Sequence, residues 1–233
     1  MIKLNNKSKK LILLQRNELL SNKQKWLRKK FGRYAFTNFF VNCLQSKNLE
    51  KQVEELFQKE FDTFKNFLPK DINNIMDIGC GLGVVNIFLN KLYNNKINFF
   101  LLDKDKVDKK IAYGFKSNYE SYNDLSETSK ILLKNQINED KIFLYDVEQE
   151  IKIHAKIDLV ISLKSMGYHY PIETYVKLFK QCCNKNTIFI FDIISSHYNR
   201  DFLYKFFQNI EIIHEEMSIH PLKRLYCYGF KND

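Results

Sequence analysis

Apolar residues change their spacing near residue 68, and this change divides the chain into two parts. Over residues 1–68 they recur at approximately helical spacing, which predicts amphipathic helices. Pro69 interrupts the pattern, and short apolar runs then alternate with helical stretches. We predict seven strands in this second part, near residues 73–78, 97–102, 141–145, 157–163, 187–193, 209–217 and 222–230. Crossover helices are predicted between them, near residues 83–95, 128–137, 171–183 and 197–208.

Strands that alternate with helices are typical of an α/β fold, in which helices cover both faces of a mostly parallel sheet. We therefore predict two units, an N-terminal helical extension over residues 1–68 and an α/β core over residues 69–233. A chain of 233 residues with 45% hydrophobic content can fill one such core of ordinary size.

A glycine-rich turn follows the first predicted strand. The pattern Asp-x-Gly-x-Gly-x-Gly spans residues 77–83 and leads into a predicted helix. Such a turn lets the backbone pass close to a ligand, with a helix N-terminus behind it. The dinucleotide fingerprint requires Gly or Ala at its third glycine position, where this chain has Val84 in one register and Asn86 in the other. The turn therefore predicts a nucleoside-type cofactor other than a dinucleotide.

Two further acids end the second and third predicted strands. Asp103 lies 20 residues beyond Gly83, where a carboxylate can accept hydrogen bonds from both hydroxyls of a ribose. Asp146 ends the third strand in the same way. The glycine turn and these acids together resemble the class I S-adenosylmethionine-dependent methyltransferase superfamily.

This resemblance implies a Rossmann-like sheet of seven strands, the last two forming an antiparallel pair. It also implies S-adenosylmethionine as methyl donor, S-adenosylhomocysteine as product, and no metal. In that superfamily the acid at Asp77 faces the methionine moiety, the acid at Asp103 binds the ribose, and the acid at Asp146 lies near the adenine amino group. Lys104 departs from the pattern, since the superfamily usually has an apolar residue there. The predicted donor site comprises Asp77, Gly79, Cys80, Gly81, Gly83, Asp103, Lys104, Asp146, Val147 and Ser162.

The loop after the fourth predicted strand, residues 164–171, carries the candidate chemistry. In open parallel sheets ligands lie beyond the carboxyl ends of the strands, where this loop begins. It lacks the Asp-Pro-Pro-Tyr or Asn-Pro-Pro-Tyr signature of amino-directed nucleic-acid methylases and the Pro-Cys nucleophile used at cytosine C5. It offers His169, whose neutral imidazole could remove a proton from an acceptor hydroxyl; the structural alternative is that His169 caps the next helix.

We predict a catalytic group and a substrate group around this loop. The catalytic group is His169, Tyr168 and Lys164, with Lys164 pairing with a phosphate or a developing oxyanion. The substrate group is Tyr170, His197, Arg33 and Tyr34. The last two belong to the extension, which is predicted to cover the acceptor.

The positive charge is concentrated early in the chain. The formal net charge is +10, and eleven Lys and Arg residues between residues 1 and 33 face one acid, Glu18. Three interpretations fit this bias: a solvated helix face, a surface for a phosphorylated small molecule, and a surface for nucleic acid. Charge alone does not separate RNA from a nucleotide-linked sugar.

Cysteine usage and hydropathy indicate a cytoplasmic protein. The five cysteines have no metal-like spacing and are odd in number, so we expect reduced thiols and no metal site. The N-terminus lacks a secretory signal, and the apolar runs are too short to cross a bilayer, so no membrane insertion is expected.

These observations leave three functional hypotheses. The preferred one is O-methylation of a small polar or anionic acceptor, such as a phosphorylated or nucleotide-linked precursor of a surface glycan or capsule. A phosphoryl or phosphoramidate oxygen is a variant of that acceptor. The second hypothesis is an RNA methyltransferase, and the third is a non-catalytic scaffold that binds a partner through its basic N-terminal region.

Overall fold

The computed structural model describes residues 1–43, 48–107, 123–217 and 221–232. Seven strands form one sheet in the order β3-β2-β1-β4-β6-β8-β7, in which β8 is antiparallel to both β6 and β7 and the other pairs are parallel. This confirms the predicted Rossmann-like sheet with its antiparallel last pair. With β5, which lies outside this order, the described residues form eight strands: β1 (Asn74–Ile78), β2 (Asn98–Asp103), β3 (Ile142–Asp146), β4 (Leu159–Ser162), β5 (Ser165–Tyr170), β6 (Ile188–Ile194), β7 (Phe207–Glu216) and β8 (Leu222–Phe230).

The helices follow the predicted division into an extension and an alternating core. Those of the extension are α1 (Asn6–Gln15), α2 (Asn22–Phe31), α3 (Arg33–Cys43) and α4 (Leu49–Asp62). Those that follow are α5 (Val84–Leu92), α6 (Leu125–Lys134), α7 (Glu173–Cys182) and α8 (Arg200–Leu203). No helix in the described part of the chain is long and apolar enough to cross a membrane.

Two segments differ from the sequence prediction. The helix expected over residues 197–208 is a single turn, α8, capped by the Asn199 side chain. Leu203 and Phe207 are both buried and have helical spacing, but Phe207 already belongs to strand β7. The loop expected over residues 164–171 contains strand β5, which lies outside the seven-strand order. Strand β5 passes close to β6, since a Cβ atom added at Gly167 would lie 2.6 Å from the carbonyl oxygen of Asp192.

The extension shares a hydrophobic core with one face of the sheet. Its fully buried Ile12, Val53 and Phe64 belong to the same cluster as Ile75 of β1 and Phe99 of β2. The opposite face is covered by a second cluster that includes residues of α7, β6 and β8. The extension is therefore packed against the sheet, while its assignment as a separate unit ending at residue 68 stays a prediction.

Polar contacts fix the start of the extension on α6. Asn5 and Ser8 form a capping box at the start of α1. The Nδ2 of Asn5 and the Oγ of Ser8 donate to the buried carboxylate of Glu127, at 2.5 and 2.6 Å. Lys7 pairs with Asp124. Since the Oγ1 of Thr128, also in α6, donates to the carbonyl oxygen of Gly81 at 2.8 Å, these bonds hold α1 near the carboxyl end of β1.

Candidate donor site and reactive rim

Backbone hydrogen bonds join the glycine turn to the end of strand β2. The amide of Gly79 donates to the carbonyl oxygen of Leu102 at 2.7 Å, and the amide of Gly81 donates to the Oδ2 of Asp103 at 2.7 Å. Gly79, Gly81 and Gly83 have φ angles of 73°, 53° and 68°, a region that favours glycine. The turn thus places its backbone against the carboxylate predicted to bind a ribose.

The Asp103 carboxylate is held at both oxygens. Its Oδ1 accepts from the amide of Lys104 at 2.7 Å, while Oδ2 accepts from Gly81. Burial raises the pKa of Asp103 to about 6, and the neighbouring Asp146 acts in the same direction. Asp146 pairs with Asp103 in the register of β2 and β3, and its Oδ1 accepts from the amide of Glu148 at 3.0 Å. The amide of Val147 donates to the carbonyl oxygen of Asp103 at 3.0 Å.

Asp77 lies buried behind the turn. Its Oδ2 accepts from the Nδ2 of Asn86 at 2.6 Å, and Asn86 itself is fully buried in α5. Desolvation raises the pKa of Asp77 to about 7. Sequence reasoning considered Asn86 only as a mismatch to the dinucleotide fingerprint and missed its contact with Asp77. The available signal was a polar residue in the apolar first turn of the helix behind the glycines.

The predicted adenine side of the site is polar. Lys104 pairs with the Oε1 of Glu148 at 3.2 Å and shares a hydrogen bond with Tyr170. Burial lowers the pKa of Lys104, but the hydrogen bonds to Glu148 and Tyr170 outweigh this and raise it. Tyr170, predicted as a substrate residue, therefore contacts a predicted donor-site residue.

Two of the predicted donor-site residues, Ser162 and Cys80, are surrounded by other parts of the fold. The buried Ser162 hydroxyl donates to the carbonyl oxygen of Ile78 and accepts from the amide of Met166, both at 2.8 Å, so it joins β1, β4 and β5. Cys80 lies in the glycine turn, where burial raises the pKa of its thiol well above the usual value. These surroundings do not show whether Ser162 or Cys80 contacts the donor, so that role stays a prediction for both.

Lys164 lies between the end of strand β4 and the start of strand β5, a segment that we call the rim. Its φ angle is 58°, and its amide donates to the Oδ2 of Asp192 at 3.1 Å. Its ammonium pairs with the Oε1 of Glu18 and the Oε2 of Glu216, both at 3.3 Å. Glu18 belongs to the extension and Glu216 to β7. A phosphate bound by Lys164 would have to displace one of these carboxylates.

Tyr168 and His169 lie next to each other on β5. Their rings meet edge to face with centroids 4.8 Å apart, and His169 keeps an exposed edge although neighbouring atoms shield its imidazole from water. Desolvation lowers the pKa of His169 below its usual 6.5, so the imidazole is neutral near pH 7. Burial raises the pKa of Tyr168, which keeps its phenol protonated. His169 therefore has the protonation state that proton removal requires.

The remaining predicted substrate residues lie in different places. His197 is exposed in the short turn after β6. The guanidinium of Arg33 donates to the carbonyl oxygen of Leu14 at 3.0 Å, so it supports the end of α1. Tyr34 is half-buried beside it. Their roles toward substrate stay predictions.

The end of α1 lies over the glycine turn, which sequence reasoning did not anticipate. A Cβ atom added at Gly81 would lie 3.1 Å from the Oε1 of Gln15. The next residue, Arg16, pairs with the Oε2 of Glu60 at 2.9 Å. The extension thus reaches the predicted donor site through the residues that follow its first helix.

A buried charge network connects the extension with the sheet behind Lys164. The Nε of Arg224 donates to the Oδ1 of Asp192 at 2.7 Å, and its NH2 donates to Oδ2 at 2.8 Å. Its NH1 donates to the Oγ1 of Thr63 at 2.5 Å, and its NH2 lies 3.6 Å from the Oε1 of Glu60. Because Asp192 also accepts from the amide of Lys164, the network holds the backbone of Lys164 in place.

Among the described residues, no group of three or more His, Cys, Asp or Glu side chains is arranged to hold a metal ion.

No protein-family model matches this sequence, and no curated protein sequence matches it. Solved structures do. A proposed O-methyltransferase from Nostoc punctiforme is 10% identical, with a TM-score of 0.51, over 76% of this chain and 58% of that chain. A methyltransferase dependent on S-adenosylmethionine from Aquifex aeolicus is 13% identical, with a TM-score of 0.49, over 75% and 90%. An rRNA methylase from Streptococcus thermophilus is 12% identical, with a TM-score of 0.46, over 74% and 95%.

At these identities the likeness shows the fold. The chain has the class I methyltransferase fold that its sequence pattern predicts. It spans less than two thirds of the Nostoc punctiforme protein, 58% of that chain.

Proposed function

We propose that this protein is an S-adenosylmethionine-dependent methyltransferase that acts on a hydroxyl oxygen. The observation that carries the proposal is the geometry of Asp103. This carboxylate stands at the end of β2, and the amides of Gly81 and Lys104 each hold one of its oxygens at 2.7 Å. The remaining lone pairs are available to accept from two ribose hydroxyls. The fold places this carboxylate beside the glycine turn, as a nucleoside site requires.

The other donor-site residues fit the same group. Asp77 lies behind the turn, oriented by Asn86, and Asp146 lies beside Asp103 at the tip of β3. Bound S-adenosylmethionine would supply an electrophilic methyl group on a positively charged sulfur. The protein's own task is then to align the acceptor oxygen and accept its proton.

His169 is the group we assign to proton removal. Its imidazole is neutral near pH 7 because desolvation lowers its pKa, and Tyr168 packs against its ring. A phosphate role for Lys164 receives less support, because Glu18 and Glu216 already neutralise its ammonium. An anionic acceptor therefore needs another basic surface, and the extension offers one.

Donor binding is tested by calorimetry with S-adenosylhomocysteine. We expect micromolar binding with no binding of NAD, and Asp103→Asn should weaken it roughly 10- to 150-fold, the loss of hydrogen bonds to a charged group. Because the ionised carboxylate accepts the ribose hydrogen bonds and its pKa is about 6, wild-type affinity should rise as the pH increases through that value. Asp103→Asn should lack the part of this rise centred near pH 6 and keep only the contribution of Asp77, whose pKa is about 7 in the wild type.

The exposed Asp71 supplies the matched control, since Asp71→Asn removes the same charge away from the site. Equal weakening by the two variants would contradict the assignment of Asp103. If S-adenosylhomocysteine fails to bind the wild-type protein, the scaffold hypothesis is favoured.

His169→Ala should reduce methyl transfer roughly 10²- to 10⁴-fold while leaving the affinity for S-adenosylhomocysteine unchanged. Transfer of a labelled methyl group to a panel of phosphorylated sugars and RNA measures the rate. Since the pKa of His169 is lowered from 6.5, the wild-type rate should fall only at pH values below that. The control is His154→Ala, which alters an exposed histidine away from β5. Parallel loss of rate and affinity in His169→Ala would show that His169 supports the fold and is not the base.

A further inference from the structure

Helix α2 presents a basic surface with exposed aromatic rings, which we call the α2 surface. Over residues 22–33 the chain has six Lys and Arg residues and no acid. Trp26 is 59% exposed and Phe31 is 60% exposed. Exposed apolar surface rimmed by charged residues marks interaction sites, so two large exposed rings among lysines make this helix a candidate contact surface. The α2 surface comprises Lys23, Lys25, Trp26, Lys29, Lys30 and Phe31, all of them exposed.

Hydrogen bonds from two arginine side chains join α2 and the start of α3 to the end of α1. The buried Arg28 donates to the carbonyl oxygen of Leu13, and Arg33 donates to that of Leu14, both at 3.0 Å. These carbonyl groups directly precede Gln15, which lies over the glycine turn. The α2 surface is thereby attached to the segment that reaches the donor site.

The two rings do not form an apolar stripe. Phe31 lies five positions after Trp26, which on an α-helix is a rotation of about 140°. The ammonium of Lys30 lies between them, 5.4 Å from the centre of the Trp26 ring and 5.8 Å from that of Phe31. A helix that lies in a membrane interface needs one continuous apolar face opposite its basic face. The interleaved arrangement instead matches single-stranded nucleic acid, whose bases stack on aromatic rings while lysines contact the phosphates.

We propose that the α2 surface binds a single-stranded segment of RNA that carries the methyl acceptor. The choice of RNA over DNA rests on the proposed function, because a hydroxyl acceptor within a nucleic-acid strand is the ribose 2′-hydroxyl. In the transfer, that oxygen bonds to the methyl carbon and the carbon–sulfur bond breaks, leaving its electron pair on sulfur. The hydroxyl proton passes to the imidazole of His169.

Trp26 itself reports on the binding, since it is the only tryptophan among the 233 residues. The full-length protein is titrated with a single-stranded RNA of mixed sequence, about 12 nucleotides long. Stacking of a base on Trp26 should quench its fluorescence. With four phosphate contacts, affinity should fall roughly 50-fold between about 50 and 200 mM salt. Heparin, a polyanion without bases, should compete for the lysines without quenching.

Two double lysine substitutions distinguish RNA binding at the α2 surface from attraction to the net charge of the protein. Lys25→Glu with Lys29→Glu should weaken RNA binding at least about tenfold. Lys177→Glu with Lys185→Glu makes the same charge change at exposed positions on or after α7. This control pair should bind RNA as the wild type does. Trp26→Ala, followed by the polarisation of labelled RNA, should weaken binding roughly 5- to 150-fold by loss of stacking.

Three outcomes would overturn the inference. Equal weakening by the two lysine pairs would show attraction to net charge alone, and binding without quenching would place the RNA elsewhere. A blue shift of Trp26 emission with vesicles containing phosphatidylglycerol, together with no response to RNA, would identify a membrane-binding helix. Donor binding is measured separately. S-adenosylhomocysteine binding without RNA binding refutes the inference and leaves the proposed function standing. RNA binding without S-adenosylhomocysteine binding refutes the proposed function, and with it the acceptor role of the RNA, while the α2 surface stands as an RNA-binding site.

Discussion

Replacing Arg224 by Met is expected to lower the free energy of unfolding by about 3 to 5 kcal/mol. The side chains of Arg224 and Asp192 are 2% and 0% exposed, and their bidentate contact has distances of 2.7 and 2.8 Å. Methionine occupies a similar volume but leaves Asp192 as a buried carboxylate without its cation. Glu60 loses one of the two arginines whose charges lower its pKa against the effect of burial. Urea denaturation at about pH 7 measures the change.

Lys223→Met is the matched control, one residue earlier on the same strand. Lys223 pairs with Glu215 at 2.8 Å, and the two side chains are 20% and 48% exposed, so loss of this pair should cost at most about 1 kcal/mol. The pH dependence gives a second check. Because the folded pKa of Glu60 lies below its usual 4.5, its stabilisation is present above that value and is lost as the pH falls through the folded value. The difference between wild type and Arg224→Met should therefore shrink in acid. An unchanged stability of Arg224→Met would show that methionine packing compensates for the network.

The arrangement of the glycine turn and the strand-end acids was predictable because its requirements are local. A strand, a glycine turn and a helix follow one another along the chain, and each acid stands at the end of its own apolar run. Parallel pairing then brings Asp103 beside Asp146 without further information. The seven strands were predictable for the same reason, since each one is a short apolar run bounded by polar residues.

The acceptor side depends on contacts between residues distant in sequence. Lys164 was identified from its loop, but its partners Glu18 and Glu216 come from the extension and from strand β7. The pairing of Asp192 with Arg224 requires the register of two antiparallel strands, which hydrophobic spacing does not specify. Strand β5 was missed because its residues Gly167 to Tyr170 have the mixed polarity of a loop. Its extended form follows from close packing against β6, which is a property of the folded sheet.

Gly79→Ala is expected to abolish detectable binding of S-adenosylhomocysteine and to lower stability by about 2 to 5 kcal/mol. Two effects add. The φ angle of 73° costs an L-residue roughly 1 to 2 kcal/mol, and the new Cβ would lie 2.1 Å from the Oγ and 2.2 Å from the Cβ of Ser165. The turn must move away from β5 to relieve this overlap, which displaces the amide of Gly81 from Asp103. Calorimetry and urea denaturation measure the two losses.

Two further variants separate the cost of the positive φ angle from the cost of the overlap with Ser165. Gly32→Ala places alanine at a φ angle of 85° and a ψ angle of 149° with no atom within 4 Å, so it should show a conformational cost without any overlap. In Gly79→Ala with Ser165→Gly, the nearest remaining Ser165 atom is the Cα at 3.7 Å, an ordinary contact. This double variant should recover donor binding and be destabilised by the conformational cost of about 1 to 2 kcal/mol, plus roughly 0.5 to 1 kcal/mol for the new glycine. If Ser165→Gly restores nothing, the overlap with β5 is not what Gly79 avoids. The glycine would then be required by the donor itself, whose approach to the backbone a Cβ atom would block.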